Sequence, residues 1–142
     1  MIVAHILASK GRDVATTTPD RLISDVVAEL AARRIGALVV TERGRVVGII
    51  SERDIVKAIG LRGAGILSDP VSSIMTRDVV TCSERETINS VMSRMTHRRF
   101  RHLPVIEDGE LVGIVSIGDV VKARIEEVEH EADELRSYIA TA

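Results

Sequence analysis

From Ile23 onward, apolar residues recur at three- and four-residue steps through Val26, Val27 and Leu30, and the rhythm returns at Ile88, Val91, Met92 and Met95. That spacing lines one face of an α-helix. After each helix come two short runs with the length and branched content of strands, Ala37-Leu38-Val39-Val40 and residues 45–50 in the first instance. Arg43-Gly44 joins them, and Asp108-Gly109 forms the equivalent two-residue hairpin turn. Short extended stretches precede the helices at 14–17 and 79–82, and a last helix follows Ser51 or Ser116. The first helix is expected to start at Thr18-Pro19, where proline is tolerated, and its counterpart at Ser83, with Glu86 completing a capping box. The predicted order is strand, helix, strand, strand, helix, twice over.

The two instances are copies. With a shift of 65 residues, 14–60 align on 79–125 without a gap and about 18 of 47 positions are identical. Arg33-Arg34 match Arg98-Arg99, Leu38 matches Leu103, Gly48 matches Gly113, and Asp54 matches Asp119. A shorter echo precedes each copy, Val3-Ala4-His5-Ile6-Leu7 resembling Val71-Ser72-Ser73-Ile74-Met75. A unit of roughly 50 to 60 residues buries little surface alone, so two α/β units are expected to pack sheet to sheet about a pseudo-twofold axis. The expected division is 1–60, a linker at 61–69, 70–125, and a helical extension at 126–142. Gly60, Gly63 and Gly65 lack the lysine and hydroxyl residue of a phosphate-binding loop. Past Asp119 the chain holds no Gly or Pro, and Val121, Ile125, Val128, Ala132, Leu135 and Ile139 alternate four and three apart. That is the rhythm of a helix–helix seam, filled either by the same module or by a second subunit.

Composition narrows the function. The 142 residues are 45% hydrophobic and 28% charged, which suits a packed core. Aromatics are limited to Phe100 and Tyr138, so the stacking platforms of single-strand nucleic-acid readers are missing. A net charge of −2 provides no broad attraction for polyanions. The lone Cys82 cannot form an internal disulfide, and no long apolar run or leader pattern is evident, so a cytoplasmic protein without membrane attachment is expected. His97 and His102 are five apart, His5 and His130 fall on other elements, and no zinc spacing appears. We expect no catalysis and no metal.

The candidate chemistry lies in Gly48-Ile49-Ile50-Ser51-Glu52-Arg53-Asp54 and Gly113-Ile114-Val115-Ser116-Ile117-Gly118-Asp119. Ser and Asp three apart where a strand gives way to a helix form a capping box. The same groups can receive a ligand, since free N–H groups and a hydroxyl at a helix start suit a phosphate and a carboxylate suits a sugar diol. Arg53 reaches a phosphate or a neighbouring carboxylate; Gly118 in its place permits close backbone approach.

This doubled pattern resembles a pair of CBS domains, a Bateman module. The resemblance implies an adenosyl nucleotide with Ser51 or Ser116 near its phosphate and Asp54 or Asp119 on its ribose, in clefts between the copies. It places Arg101 and His102, just before Leu103-Pro104, on phosphates. The first copy departs from the pattern there, with Gly36-Ala37 and with Val39 in place of the proline, so the second site is expected to be the stronger. Adenine is expected among Thr16, Thr17, Thr18 and Leu38 in one cleft and Val80, Thr81, Cys82 and Leu103 in the other. AMP, ADP and ATP are the implied ligands, with NAD(H) and S-adenosylmethionine sharing the same contacts. A homodimer and a separate effector protein are the implied partners, a structural adaptor with vestigial clefts the alternative.

Overall fold

In the computed structural model, which describes residues 1–141, the chain runs α1 (Val3–Lys10), β1 (Thr16–Thr17), α2 (Ile23–Arg33), β2 (Ala37–Glu42), β3 (Arg45–Ser51), α3 (Glu52–Arg62), α4 (Ile88–Arg98), β4 (His102–Glu107), β5 (Glu110–Ser116) and α5 (Ile117–Thr141). Ala142, the end of the expected extension, lies outside the described residues. The chain forms two compact units, one of residues 13–80 with 108–112, the other of 1–12, 81–107 and the chain from 113 on.

In the first unit β1 pairs parallel with β2, and β2 antiparallel with β3. The central β2 has Ala37, Leu38, Val39 and Val40 all buried, which is why its sequence is continuously apolar rather than alternating. Arg43 (φ 51°) and Gly44 (φ 78°) make the tight β2–β3 turn, and Asp108 and Gly109 repeat it between β4 and β5. The core collects Ile23, Val26 and Leu30 from α2, Leu38, Val40 and Ile50 from the sheet, and Ile55 and Ala58 from α3. The connection expected at 61–69 is not loose chain. α3 runs to Arg62, and a 3-10 turn over Ala64–Ser68 plants Ile66, 3% exposed, in the core.

The second unit repeats the plan around Ile88, Val91 and Met95 of α4, Leu103 and Val105 of β4, and Val115 of β5. A single parallel bridge between Cys82 and Val105 stands where β1 stands in the first unit. The lead-in segments are exchanged: α1 folds with the second repeat's elements, and 71–76 with the first's. Val3 and Leu7 are buried in one core, Val71 and Met75 in the other.

This exchange corrects the helix starts. α2 begins at Ile23 rather than at Thr18-Pro19, because Arg21 O accepts from Val71 N–H at 2.8 Å and Ile23 N–H donates to Asp69 O at 3.0 Å. α4 begins at Ile88, with Thr87 capping Ser90 N–H, because Glu86 O accepts from Val3 N–H and Ile88 N–H donates to Met1 O. Ser83 and Glu86 do bond, backbone to carboxylate at 2.7 Å, but in the turn before the helix. Backbone pairing with the lead-in outweighs a local start signal in both repeats. The exchange also explains the glycine of each repeated motif. A Cβ on Gly48 would lie 2.7 Å from Met75 Sδ and 3.0 Å from Thr76 O, and one on Gly113 2.7 Å from Leu7 Cδ2.

Candidate functional site

At the β3–α3 junction Ser51 is extended while the chain ahead turns helical, so its hydroxyl accepts the Asp54 N–H at 3.3 Å. In return Asp54 Oδ2 accepts from the Ser51 N–H at 2.9 Å and from its hydroxyl at 3.0 Å. Thr76, held to β3 by a reciprocal backbone pair with Ile49, donates to Asp54 Oδ1 at 3.4 Å. Gly36 O accepts the Glu52 N–H, which sets the start of β2 beside the junction. Arg53 is exposed on the first turn of α3.

The β5–α5 junction has the same box. Asp119 N–H donates to Ser116 Oγ at 3.1 Å and Asp119 Oδ2 accepts the Ser116 N–H at 2.8 Å. Here the carboxylate meets a cation as well, Lys10 Nζ from α1, 2.6 Å from Oδ2. Burial pushes the Asp119 carboxyl up, but the Lys10 ammonium and the Ser116 donors outweigh it and hold the group below the ordinary carboxylate range. It is therefore ionised at neutral pH. Arg101 O accepts the Ile117 N–H at 2.8 Å, the counterpart of the Gly36–Glu52 bond, so Arg101 and His102 stand beside this junction. Arg101 is exposed, and His102 is half-buried and engaged by a neighbouring group. Gly118 is exposed, with only Ser116 Oγ, at 3.7 Å, near where a Cβ would stand.

The proposed adenine-lining residues divide by environment. Leu38 and Leu103 are buried, as is Pro104, which follows Leu103. Thr16 and Thr18 are exposed, and the Thr18 hydroxyl is used by Asp20 at 2.7 Å. Between them Thr17 is buried and its hydroxyl has no hydrogen-bond partner among the described residues, an expensive state for a polar atom. Val80 is half-buried at the end of the first unit's main segment. Cys82, the counterpart of Thr17, is buried; burial first and Glu86 next raise its thiol to about 12. A neutral thiol is a poor nucleophile. Among the described residues no cluster of His, Cys, Asp and Glu could hold a metal ion. No helix among them is long and apolar enough to cross a membrane.

Lys10 and Thr76 were not legible as site residues. Their one signal is the lead-in echo, which marks 3–7 and 71–75 as equivalent without showing that each segment delivers a side chain to a carboxylate.

Comparison with known proteins adds to this geometry. The family model for the CBS domain matches twice, at residues 3–61 and 71–126. CBS domain-containing protein CBSX3, mitochondrial, of Arabidopsis thaliana is 35% identical over 96% of this chain and 71% of its own length. The crystal structure of the CBS-domain containing protein ATU1752 from Agrobacterium tumefaciens superposes with a TM-score of 0.85 at 50% identity, over 87% of this chain and 99% of that one. The CBS domain pair of protein MJ0100, solved in complex with 5′-methylthioadenosine and S-adenosyl-L-methionine, reaches 0.79 at 27% identity, over 89% and 98%.

Proposed function

The chain belongs to the CBS-domain family, and from that premise we propose that it is a non-catalytic sensor binding adenine nucleotides at its two Ser-x-x-Asp junctions. One observation carries the reading. In each unit a half-buried carboxylate stands at a helix start, beside a serine hydroxyl and the first residues of a strand that leads into the core. A carboxylate so placed accepts both hydroxyls of a ribose, while the helix start, with Arg101 and His102 at the second junction, suits a phosphoryl group. The structural relative MJ0100 is solved with two adenosyl compounds, which supports an adenosyl ligand here. AMP, ADP and ATP are our assignment, with NAD(H) entering by its adenylate half. Arg53, exposed beside Ser51, is available to a phosphate at the first junction.

A sensor acts by differential affinity. A ligand that fits one conformation better shifts the population toward it and changes the surface offered to a partner. We assign the partner surfaces to α5, as a homodimer seam and as the part an effector protein reads. We place the protein in the cytoplasm on its lone, buried thiol.

The test is ligand-dependent stabilisation. A ligand at 100 times its dissociation constant raises stability by about 2.7 kcal/mol, so AMP, ATP and NADH should each be titrated against wild type, Asp54→Ala and Asp119→Ala. Because either substitution also weakens a helix cap, the quantity to compare is the increment on adding ligand. We expect the increment to shrink in both variants, more in Asp119→Ala. No increment for any adenosyl compound at millimolar concentration would leave the adaptor reading, which the exposed apolar stripe of α5 also favours.

A further inference from the structure

The two junctions differ in one respect that the repeated motif conceals, namely what the exchanged lead-in brings to the carboxylate. The lead-ins are equivalent up to a point. Ile2 bridges to Thr87 as Pro70 does to Leu22, and Leu7 lies over Gly113 as Met75 lies over Gly48. Beyond it they diverge. After Met75 the chain is extended, and Thr76 offers Asp54 a neutral hydroxyl at a long 3.4 Å. After Leu7 the chain stays helical for almost one more turn, and that turn carries Lys10 to Asp119 at 2.6 Å. Lys10 also lines a cavity of about 120 Å³ between α1 and α5, together with Asp119, Lys122, His5, Ser9 and Glu126.

We propose that Lys10 sets the charge class of the ligand at the Asp119 junction, selecting adenosyl compounds that carry a phosphate, while the Asp54 junction also admits those that carry none. The proposal rests on the reading of both junctions as ribose sites. Lys10 and the Ser116 N–H both bond Oδ2, so a diol can approach the other oxygen with the ammonium still in place. A 5′-phosphate on that ribose enters the field of a cation on a flexible four-carbon stem, with Lys122 on the same cavity wall. In a partly desolvated site such opposite charges favour the anionic ligand by about tenfold or more. A neutral thioether gains nothing there, and a sulfonium is repelled. At Asp54 the lead-in contributes no charge, so a 5′-phosphate gains nothing from it.

Calorimetry with AMP and 5′-methylthioadenosine, which share adenine and ribose and differ in the phosphate, tests this on the full-length chain. Asp54→Ala isolates the Asp119 junction and Asp119→Ala isolates the other. In the Asp54→Ala protein we expect AMP to bind at least about tenfold more tightly than 5′-methylthioadenosine. Adding Lys10→Met should cut that preference by about tenfold, leaving what Arg101, His102 and the helix start contribute, with the affinity for 5′-methylthioadenosine kept, and Lys10→Arg should preserve the preference. In the Asp119→Ala protein Lys10→Met should change neither affinity. An AMP preference undiminished by Lys10→Met overturns the proposal and leaves the ribose reading intact. Binding that survives the double variant Asp54→Ala/Asp119→Ala, or its absence from wild type, overturns the ribose reading and the proposal with it. Thermal unfolding of each variant without ligand separates a lost site from a lost fold.

Discussion

Asp54 and Asp119 each take the N–H of the serine three residues earlier and give their own N–H to its hydroxyl. Such a cap is worth about 1 kcal/mol, yet it uses chiefly one carboxylate oxygen, so capping and ligand holding are compatible at one residue. Thr17 is the opposite case. Its buried, unpartnered hydroxyl costs stability and is the kind of atom a ligand's hydrogen-bonding edge would satisfy. The equivalent Cys82 carries a prediction of its own. Its thiol is raised from 9.0 to about 12 by burial and by Glu86, so between those pH values the folded chain holds a proton that the unfolded chain has lost. Stability present below pH 9 is therefore lost as pH rises, by roughly 1 kcal/mol per pH unit. Urea unfolding at pH 8 and 10.5 should show wild type weakening more than Cys82→Ala; equal losses would remove Cys82 as the cause.

At the scale of elements, the repeats keep interactions whose residues have changed. Arg21 pairs with Glu29 in the first copy and Glu86 with Arg94 in the second, at the same alignment positions with the charges exchanged. The Arg94 guanidinium holds Glu86 below the ordinary carboxylate range, against the opposing effect of burial. Each pair ties the turn before a helix to that helix's second turn, so the retained feature is the tether rather than its polarity. The motif glycines yield a graded prediction. A Cβ at Gly48 would press on the Thr76 backbone as well as on Met75, whereas at Gly113 the three nearest atoms all belong to the Leu7 side chain. Backbone yields less than a side chain, so Gly48→Ala should cost about 2 kcal/mol or more and Gly113→Ala roughly half as much. Denaturation midpoints measure both, and the reverse order would show that Leu7 is the more rigid neighbour.

For the whole molecule, α5 is the feature its own chain does not account for. Val120 and Ala123 are its buried residues, whereas Val121, Ile125, Val128, Leu135 and Ile139 are all at least two-fifths exposed. The stripe the spacing marks is thus not the face that packs on α5's own unit, and apolar surface this regular implies a neighbour. We expect truncation after Arg124 to halve the mass measured by light scattering while the far-UV spectrum loses only the signal of the removed turns. A wild-type mass of one chain would remove the dimer reading, and a dimer mass kept after truncation would exclude α5 as its seam. Besides α5, the α2–α3 groove in the first unit, with Val27, Val56 and Ile59 along it, leaves apolar side chains open.

What the sequence determined by itself is what local spacing encodes. Periodicity marks the buried faces of α2 and α4, the dipeptides Arg43-Gly44 and Asp108-Gly109 mark the turns, and a shift of 65 residues marks the duplication that makes Ser51–Asp54 and Ser116–Asp119 equivalent. The tertiary structure alone decided which segments fold together. The exchanged lead-ins moved both helix starts to the C-terminal side of their local signals, placed chain against Gly48 and Gly113, and brought Thr76 to Asp54 across 22 residues and Lys10 to Asp119 across 109. Contacts over such separations leave no period in the sequence, because the energy that selects them comes from burying Leu7 and Met75 and satisfying backbone groups at a distance. Lys10 and Thr76, which add to the differences between the junctions, are for that reason visible only once the chain is folded.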